Sequence, residues 1–171
     1  STCDELELRK KVGVEIHHVS LAEVYETARG IDPAGRAREA AAIRAEACSV
    51  EVSGADLDRA AALYLGLRHA AEKHRLDALA VKCWPEFPDS YGIAACSTLG
   101  RLNDAGIMTS CEGDIHGAVT MLIARHLSGK PVLFADFIAF DENRNTGVAW
   151  HCGAAPSCLA DNAGQVRLCK H

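Results

Sequence analysis

The sequence predicts an α/β fold, a three-layer α/β/α arrangement on a mostly parallel sheet, in a single domain over residues 1–171. Three observations carry that expectation. Short apolar runs alternate with helical segments from residue 78 onward, the order that favours parallel strands joined by right-handed crossovers. The chain has 171 residues, 49% hydrophobic and 24% charged, enough apolar matter for one buried core. No internal repeat, low-complexity stretch or linker-like segment divides it.

Each element has its own reason. Residues 3–11 read as a short charged helix containing Leu6, and residues 12–19 as a β-rich first strand. Ser20 with Glu23 three residues later makes the capping-box pattern, and Leu21, Val24, Tyr25 and Ala28 follow at helical spacing. Gly30 ends that helix. Asp32-Pro33 opens another, running through the alanine-rich segment to about residue 47. Pro33 suits a first helical position, where no amide hydrogen is needed. A long helix over 55–74 carries an apolar stripe of Leu57, Ala60, Ala61, Tyr64, Leu65 and Leu67. The pattern then becomes regular: strand 78–84, helix 91–105, strand 107–111, helix 114–128, strands 132–140 and 146–150. One more strand begins within 164–171.

Composition excludes several functions. The formal net charge is −5 and no lysine- or arginine-rich run occurs, so neither nucleic acid nor an anionic membrane surface is expected as partner. No apolar stretch approaches the roughly 18 residues of a membrane span, and the first residues lack the features of a signal peptide. None of the eight cysteines forms a Cys-x-x-Cys pair of the kind that marks a zinc knuckle or redox site. Cys83, Cys96 and Cys111 sit in apolar stretches, where a thiol acts as a small hydrophobe. Reduced thiols in a cytoplasmic protein are the expectation.

In open parallel sheets, ligands bind beyond the carboxyl ends of the strands. After strand 78–84 come Trp84, Pro85, Glu86, Phe87 and Pro88, with two prolines stiffening the loop around Glu86. After strand 107–111 come Glu112, Gly113 and Asp114, and after strand 146–150 comes His151. Two or three carboxylates with one imidazole suit a hard or borderline divalent cation, manganese or magnesium, better than a thiolate-held zinc. Each residue also has an ordinary structural reading. Asp114 stands where a helix N-cap belongs, and capping uses only one carboxylate oxygen. Glu86 can be a solvated loop residue, His151 can donate to a turn carbonyl, and Glu112 can favour the positive end of the next helix. Asp136 interrupts the run from Leu133 to Ile138; it either supports the site from behind or reaches water at a sheet edge. His17, His18, His69, His74 and His126 read as structural or exposed.

Four stretches together resemble a known family. They are Lys82-Cys83-Trp84-Pro85-Glu86-Phe87, the run from Cys111 through Glu112-Gly113-Asp114 to Met121-Leu122, Phe134-Ala135-Asp136, and Trp150-His151-Cys152-Gly153. The chain resembles the L-fucose isomerase and L-arabinose isomerase superfamily from about Val12 onward, and the Glu-Gly-Asp…Gly-Ala…Met-Leu stretch is the most specific part. The resemblance implies the central, metal-ligand-bearing segment of a longer protein, with a domain on either side. It implies Mn2+ bound by a glutamate, an aspartate and a histidine, of which Glu86 and Asp114 match the first two. The histidine lies in the family's carboxy-terminal domain, and His151 follows Asp114 too closely to be that ligand. His151 and Trp84 are therefore expected on the substrate side, with Glu112 and Asp136 behind the ligands. It also implies a homo-oligomer of the full-length protein.

The implied activity is aldose–ketose isomerisation of a small sugar through an ene-diol. Glu86 and Asp114 would both hold the metal and shuttle protons, and the segment alone would be inactive. Two alternatives stand beside it: a non-catalytic sugar-binding module, and another metal-dependent sugar enzyme such as a lyase.

Overall fold

Capping chemistry sets most helix boundaries. In the computed structural model, which describes residues 3–161 and 166–169, Asp4 opens α1 (Glu5–Val12) by accepting the Glu7 amide. Ser20 opens α2 (Leu21–Gly30), and Asp32 opens α3 (Pro33–Glu46) with proline in the first turn. Ser53 opens α4 (Gly54–His74) through the Asp56 amide. Glu23 does not close a capping box; its carboxylate instead reaches Lys73 and His74 at the far end of α4, each at 2.8 Å.

The strands are short and pair in twos. β1 (Ser49–Val50) runs parallel to β6 (Arg167–Leu168), and β2 (Ala78–Ala80) runs parallel to β3 (Met108–Ser110). β4 (Asp136–Asp141) and β5 (Thr146–Trp150) form an antiparallel hairpin. The fold is thus mixed α/β, with parallel pairing in two of the three pairs among the described residues. Residues 164, 165, 170 and 171 of the expected last strand lie outside the described residues.

Three expectations need correction. Residues 12–19 form no strand: Val12 ends α1, and Gly13, at φ 77°, caps it by donating to the Arg9 carbonyl. Val14, Ile16 and Val19 are half-buried between more exposed neighbours, so the apolar pattern is used for packing without a ladder partner among the described residues. The expected helix over 91–105 is instead α5 (Glu86–Tyr91) and α6 (Cys96–Asp104), divided where Gly92 turns left-handed at φ 88°. Strand 132–140 begins only at Asp136 and belongs to an exposed hairpin. Asp141 accepts the Asn143 and Arg144 amides there and bends the chain back on itself.

One core joins these pieces. α4 supplies its spine through Ala62, Leu63, Leu67, Ala70 and Ala71, all nearly inaccessible to water. α2 crosses α4 closely at Gly66, where any side chain would meet Ala28. Leu99 and Leu102 of α6, Phe87 of α5 and Cys111 close the other side, fixing β2 and β3 against α6 and α7 (Ile115–Ser128). Arg101 draws α3 in by pairing with Glu39 and Glu46 over the Tyr64 ring.

Candidate active site

The site is built at the carboxyl ends of β2 and β3. Their parallel register pairs Ala78 with Met108 and Ala80 with Ser110, so the segments that follow leave the pair side by side. They stay joined beyond the ladder: Val81 donates to the Ser110 carbonyl at 3.0 Å, and Gly113 donates to the Val81 carbonyl at 2.9 Å. Glu86 leaves one segment and Asp114 leaves the other.

Glu86 is the first residue of α5 rather than part of an open loop. Lys82, one turn earlier, pairs with its Oε1 and holds its carboxyl below the ordinary carboxylate range. Oε2 is buried and has no hydrogen-bond partner among the described residues. Asp114 is the N-cap of α7: its Oδ1 accepts the Gly117 amide at 2.9 Å. Ser110 Oγ donates to the Asp114 carbonyl at 2.6 Å, fixing the backbone beneath it. Glu112, at φ 59°, is exposed, and its amide points to Cys83 Sγ at 3.4 Å. The left-handed turn at Glu112 and Gly113 swings Asp114 onto the helix start.

Asp114 borders a shallow recess of about 380 Å³ shared with His116, Gly117, Thr120, Phe134 and Ala135. Phe134 covers Gly117 so closely that a side chain there would collide with its ring and stand 2.7 Å from Asp114 Oδ2. His151 packs on the outer side of Phe134, ring centroids 5.4 Å apart. Phe134 thus touches His151 and lines the recess that Asp114 also borders. Trp84 is 68% exposed beside Glu86, and Asp136 is exposed opposite Trp150 at the start of the hairpin. A larger recess of about 440 Å³, between α3 and α4, contains none of these residues.

A buried feature had no sequential signal. Cys83, Cys96 and Cys111 bring their sulfurs within 4.8 Å of one another, and Cys152 Sγ stands 3.5 Å from Cys96 Sγ. Thiol hydrogens from Cys111 and Cys96 make Cys83 the readiest of the group to ionise, and facing it pushes the Cys111 thiol up. Residues 83, 96, 111 and 152 are far apart in sequence, so only folding reveals the group. His116 and Thr120 also line the recess; their only sequence signal is their i, i+4 spacing on α7.

The donor chemistry at Glu86 and Asp114 fits a hard divalent cation. Each carboxylate is oriented through one oxygen, and the buried, unpartnered Oε2 of Glu86 calls for a positive charge or a donor. The Lys82 ammonium already supplies part of that charge at Oε1.

No protein family model matches the chain. Over 163 residues it is 33% identical to a protein named sulfoquinovose isomerase from Priestia megaterium (strain ATCC 12872 / QMB1551), covering 94% of this chain and 36% of that protein. These are relatives named for a sugar isomerase. A namesake from Alkalicoccus urumqiensis is 32% identical over 164 residues, 95% of this chain and 37% of its own length. Another, from Clostridium sp. (strain MSTE9), is 41% identical over 106 residues, 61% of this chain and 24% of its own. The chain spans about a third of the length of the curated relatives it matches over nearly its whole extent.

Proposed function

We propose that this chain is the central part of an aldose–ketose isomerase of the L-fucose isomerase type. Its substrate would be sulfoquinovose, a six-carbon aldose carrying a sulfonate. The observation that carries the reading is the match to sulfoquinovose isomerases over 94% of the chain. The segments that lead to Glu86 and Asp114 leave β2 and β3 as neighbours, which supports it. The exposed apolar side chains of the hairpin, Phe137 at 70% and Phe140 at 74%, fit a chain that packs against more protein than itself.

Isomerisation moves a proton between C2 and C1 of the sugar while the carbonyl and hydroxyl exchange places. Glu86 and Asp114 are the groups that would hold Mn2+. When bound, the cation supplies Lewis-acid stabilisation of the negative charge that develops on the sugar oxygens. Glu86, held ionised by Lys82, can take the carbon-bound proton and return it to the neighbouring carbon. Asp114, fixed by the Gly117 amide, is oriented to exchange the oxygen-bound proton. Trp84 offers an apolar wall at the lip, and His151 stands on the substrate side behind Phe134. Glu112 and Asp136 remain as supporting carboxylates. The enzyme would act as a homo-oligomer.

The test is ketose formation from sulfoquinovose, L-fucose, L-arabinose and D-arabinose by the full protein, with and without added manganese. Glu86→Gln keeps the side-chain shape and removes the base. Turnover should fall by about 10²–10⁴-fold with the fold intact. Wild-type turnover in that variant would overturn the assignment of Glu86. Absence of ketose from every sugar would overturn the isomerase reading.

A further inference from the structure

The thiol cluster is not used by the carboxylate chemistry, and its geometry suits a different ligand. Cys83 follows β2, Cys96 opens α6, Cys111 follows β3 and Cys152 follows β5, so four separate segments meet at one place. Cys96 Sγ lies 4.0 Å from Cys111 Sγ, and the Cys83, Cys96 and Cys111 sulfurs all lie within 4.8 Å of one another; Cys152 Sγ approaches Cys96 Sγ to 3.5 Å from outside that set. A zinc ion held by four thiolates at about 2.3 Å has sulfur–sulfur edges of about 3.8 Å. The two shorter distances bracket that edge. The Glu112 amide points at Cys83 Sγ, the kind of donor that orients and steadies a ligating thiolate. Cys83 and Cys111 are buried, at 5% and 0% exposure, so bare thiolates there would be costly while a cation would neutralise them.

We propose that Cys83, Cys96 and Cys111 bind a structural zinc ion beneath the carboxylate-bearing edge of β2 and β3, with Cys152, beside Cys96, turning in to complete its coordination. Soft sulfur ligands in a tetrahedral set select zinc over the hard cations that carboxylates prefer. Three thiolates anchor the ion, and Cys152 closing the fourth position would make it a staple and not a catalyst. Binding releases the thiol protons to solvent and involves no change of oxidation state. The staple would hold the base of each site-bearing segment: Cys83 precedes Glu86 by one helical turn, Cys111 precedes Asp114 by the same spacing, and Cys152 adjoins His151. Sulfur set and oxygen set share no atom, so this site stands whether or not the isomerase reading does.

The experiment is metal analysis of the full protein, purified under reducing conditions without chelator, together with cobalt substitution. Stoichiometric zinc is expected, with thiolate-to-cobalt charge-transfer bands and strong tetrahedral d–d absorption in the cobalt form. Cys96→Ser and Cys111→Ser should each weaken zinc retention by about tenfold or more. Cys48→Ser, Cys158→Ser and Glu86→Gln should keep it. If the cluster variants do not fold, the wild-type cobalt spectrum decides alone. Zinc-free protein without the cobalt bands would overturn the proposal. So would a Cys96–Cys152 disulfide in protein kept reduced, or zinc that survives the cysteine variants and leaves with Glu86→Gln.

Discussion

Asn103, at the end of α6, does for β3 what a neighbouring strand would do. Its Oδ1 accepts the Thr109 amide at 2.6 Å and its Nδ2 donates to the Thr109 carbonyl at 3.0 Å, with Asn103 2% and Thr109 0% exposed. The amide orientation is forced, because the Thr109 N–H requires the oxygen and the carbonyl requires the nitrogen. Asn103→Ala strands both backbone groups away from water. Each unsatisfied buried group costs about 1–3 kcal/mol, so the pair costs about 2–6, and partial relaxation brings the expected loss to about 3 kcal/mol. For a chain of this size that lowers the melting temperature by about 6–12 °C. Asn103→Asp keeps the acceptor but turns the donor into a second acceptor facing the Thr109 carbonyl. It should cost as much at neutral pH and recover in part on acidification, as the carboxyl gains a proton it can donate. Urea unfolding gives the energies, and hydrogen exchange of the Thr109 amide locates them. An alanine variant within about 1 kcal/mol of wild type, with that amide still protected, would show that Thr109 is satisfied some other way.

Two further predictions concern the frame. Gly66→Ala would put a Cβ 2.9 Å from Ala28 Cβ and 3.1 Å from its backbone, forcing α2 and α4 apart at a cost of about 1–3 kcal/mol. Gly30→Ala meets nothing within 4 Å and should be neutral or slightly stabilising by denaturant titration; equal losses in both would refute the crossing argument. Glu23, hydrogen-bonded to Lys73 and then His74, titrates at about 2 in place of 4.5. A depressed carboxylate contributes stability that is present above its unfolded value and lost as pH falls through the folded one. Glu23→Gln should therefore flatten the acid limb of the stability–pH curve between about 4.5 and 2, and an unchanged limb would refute the link.

Local chemistry was readable where a residue acts on its own neighbours. Ser20, Asp32 and Asp114 cap helices that the sequence placed there, because a cap needs only an oxygen and an amide three residues or fewer away. Partners distant in sequence were not readable. The apolar alternation of residues 12–19 says strand, yet among the described residues no strand lies beside it to complete a ladder. The apolar run through Phe137 and Phe140 says buried strand, yet it forms an exposed hairpin, because the pattern records which side chains avoid water but not what covers them. The same limit hid the thiol cluster, whose members come together only when α6 and the segment after β5 fold over the ends of β2 and β3. For the site, the strand-end rule selected Glu86 and Asp114 but said nothing of Lys82 or Phe134, which orient and screen them.

The two carboxylates share a division of labour that follows from their positions. Asp114 spends Oδ1 on the Gly117 amide, so capping the helix and aiming the second oxygen are a single act. Glu86 gives Oε1 to Lys82, whose side chain is 66% exposed, and keeps Oε2 buried without a partner. In each case one oxygen is held by a donor of the protein and the other has no hydrogen-bond partner among the described residues for Glu86, or is free of the cap for Asp114. A carboxylate held this way loses little further freedom when it meets a cation or a sugar proton, which is where preorganisation lowers a barrier. A solvated loop glutamate would keep both oxygens in water. The buried Oε2 therefore distinguishes Glu86 from a solvated loop glutamate more sharply than its place after a strand does.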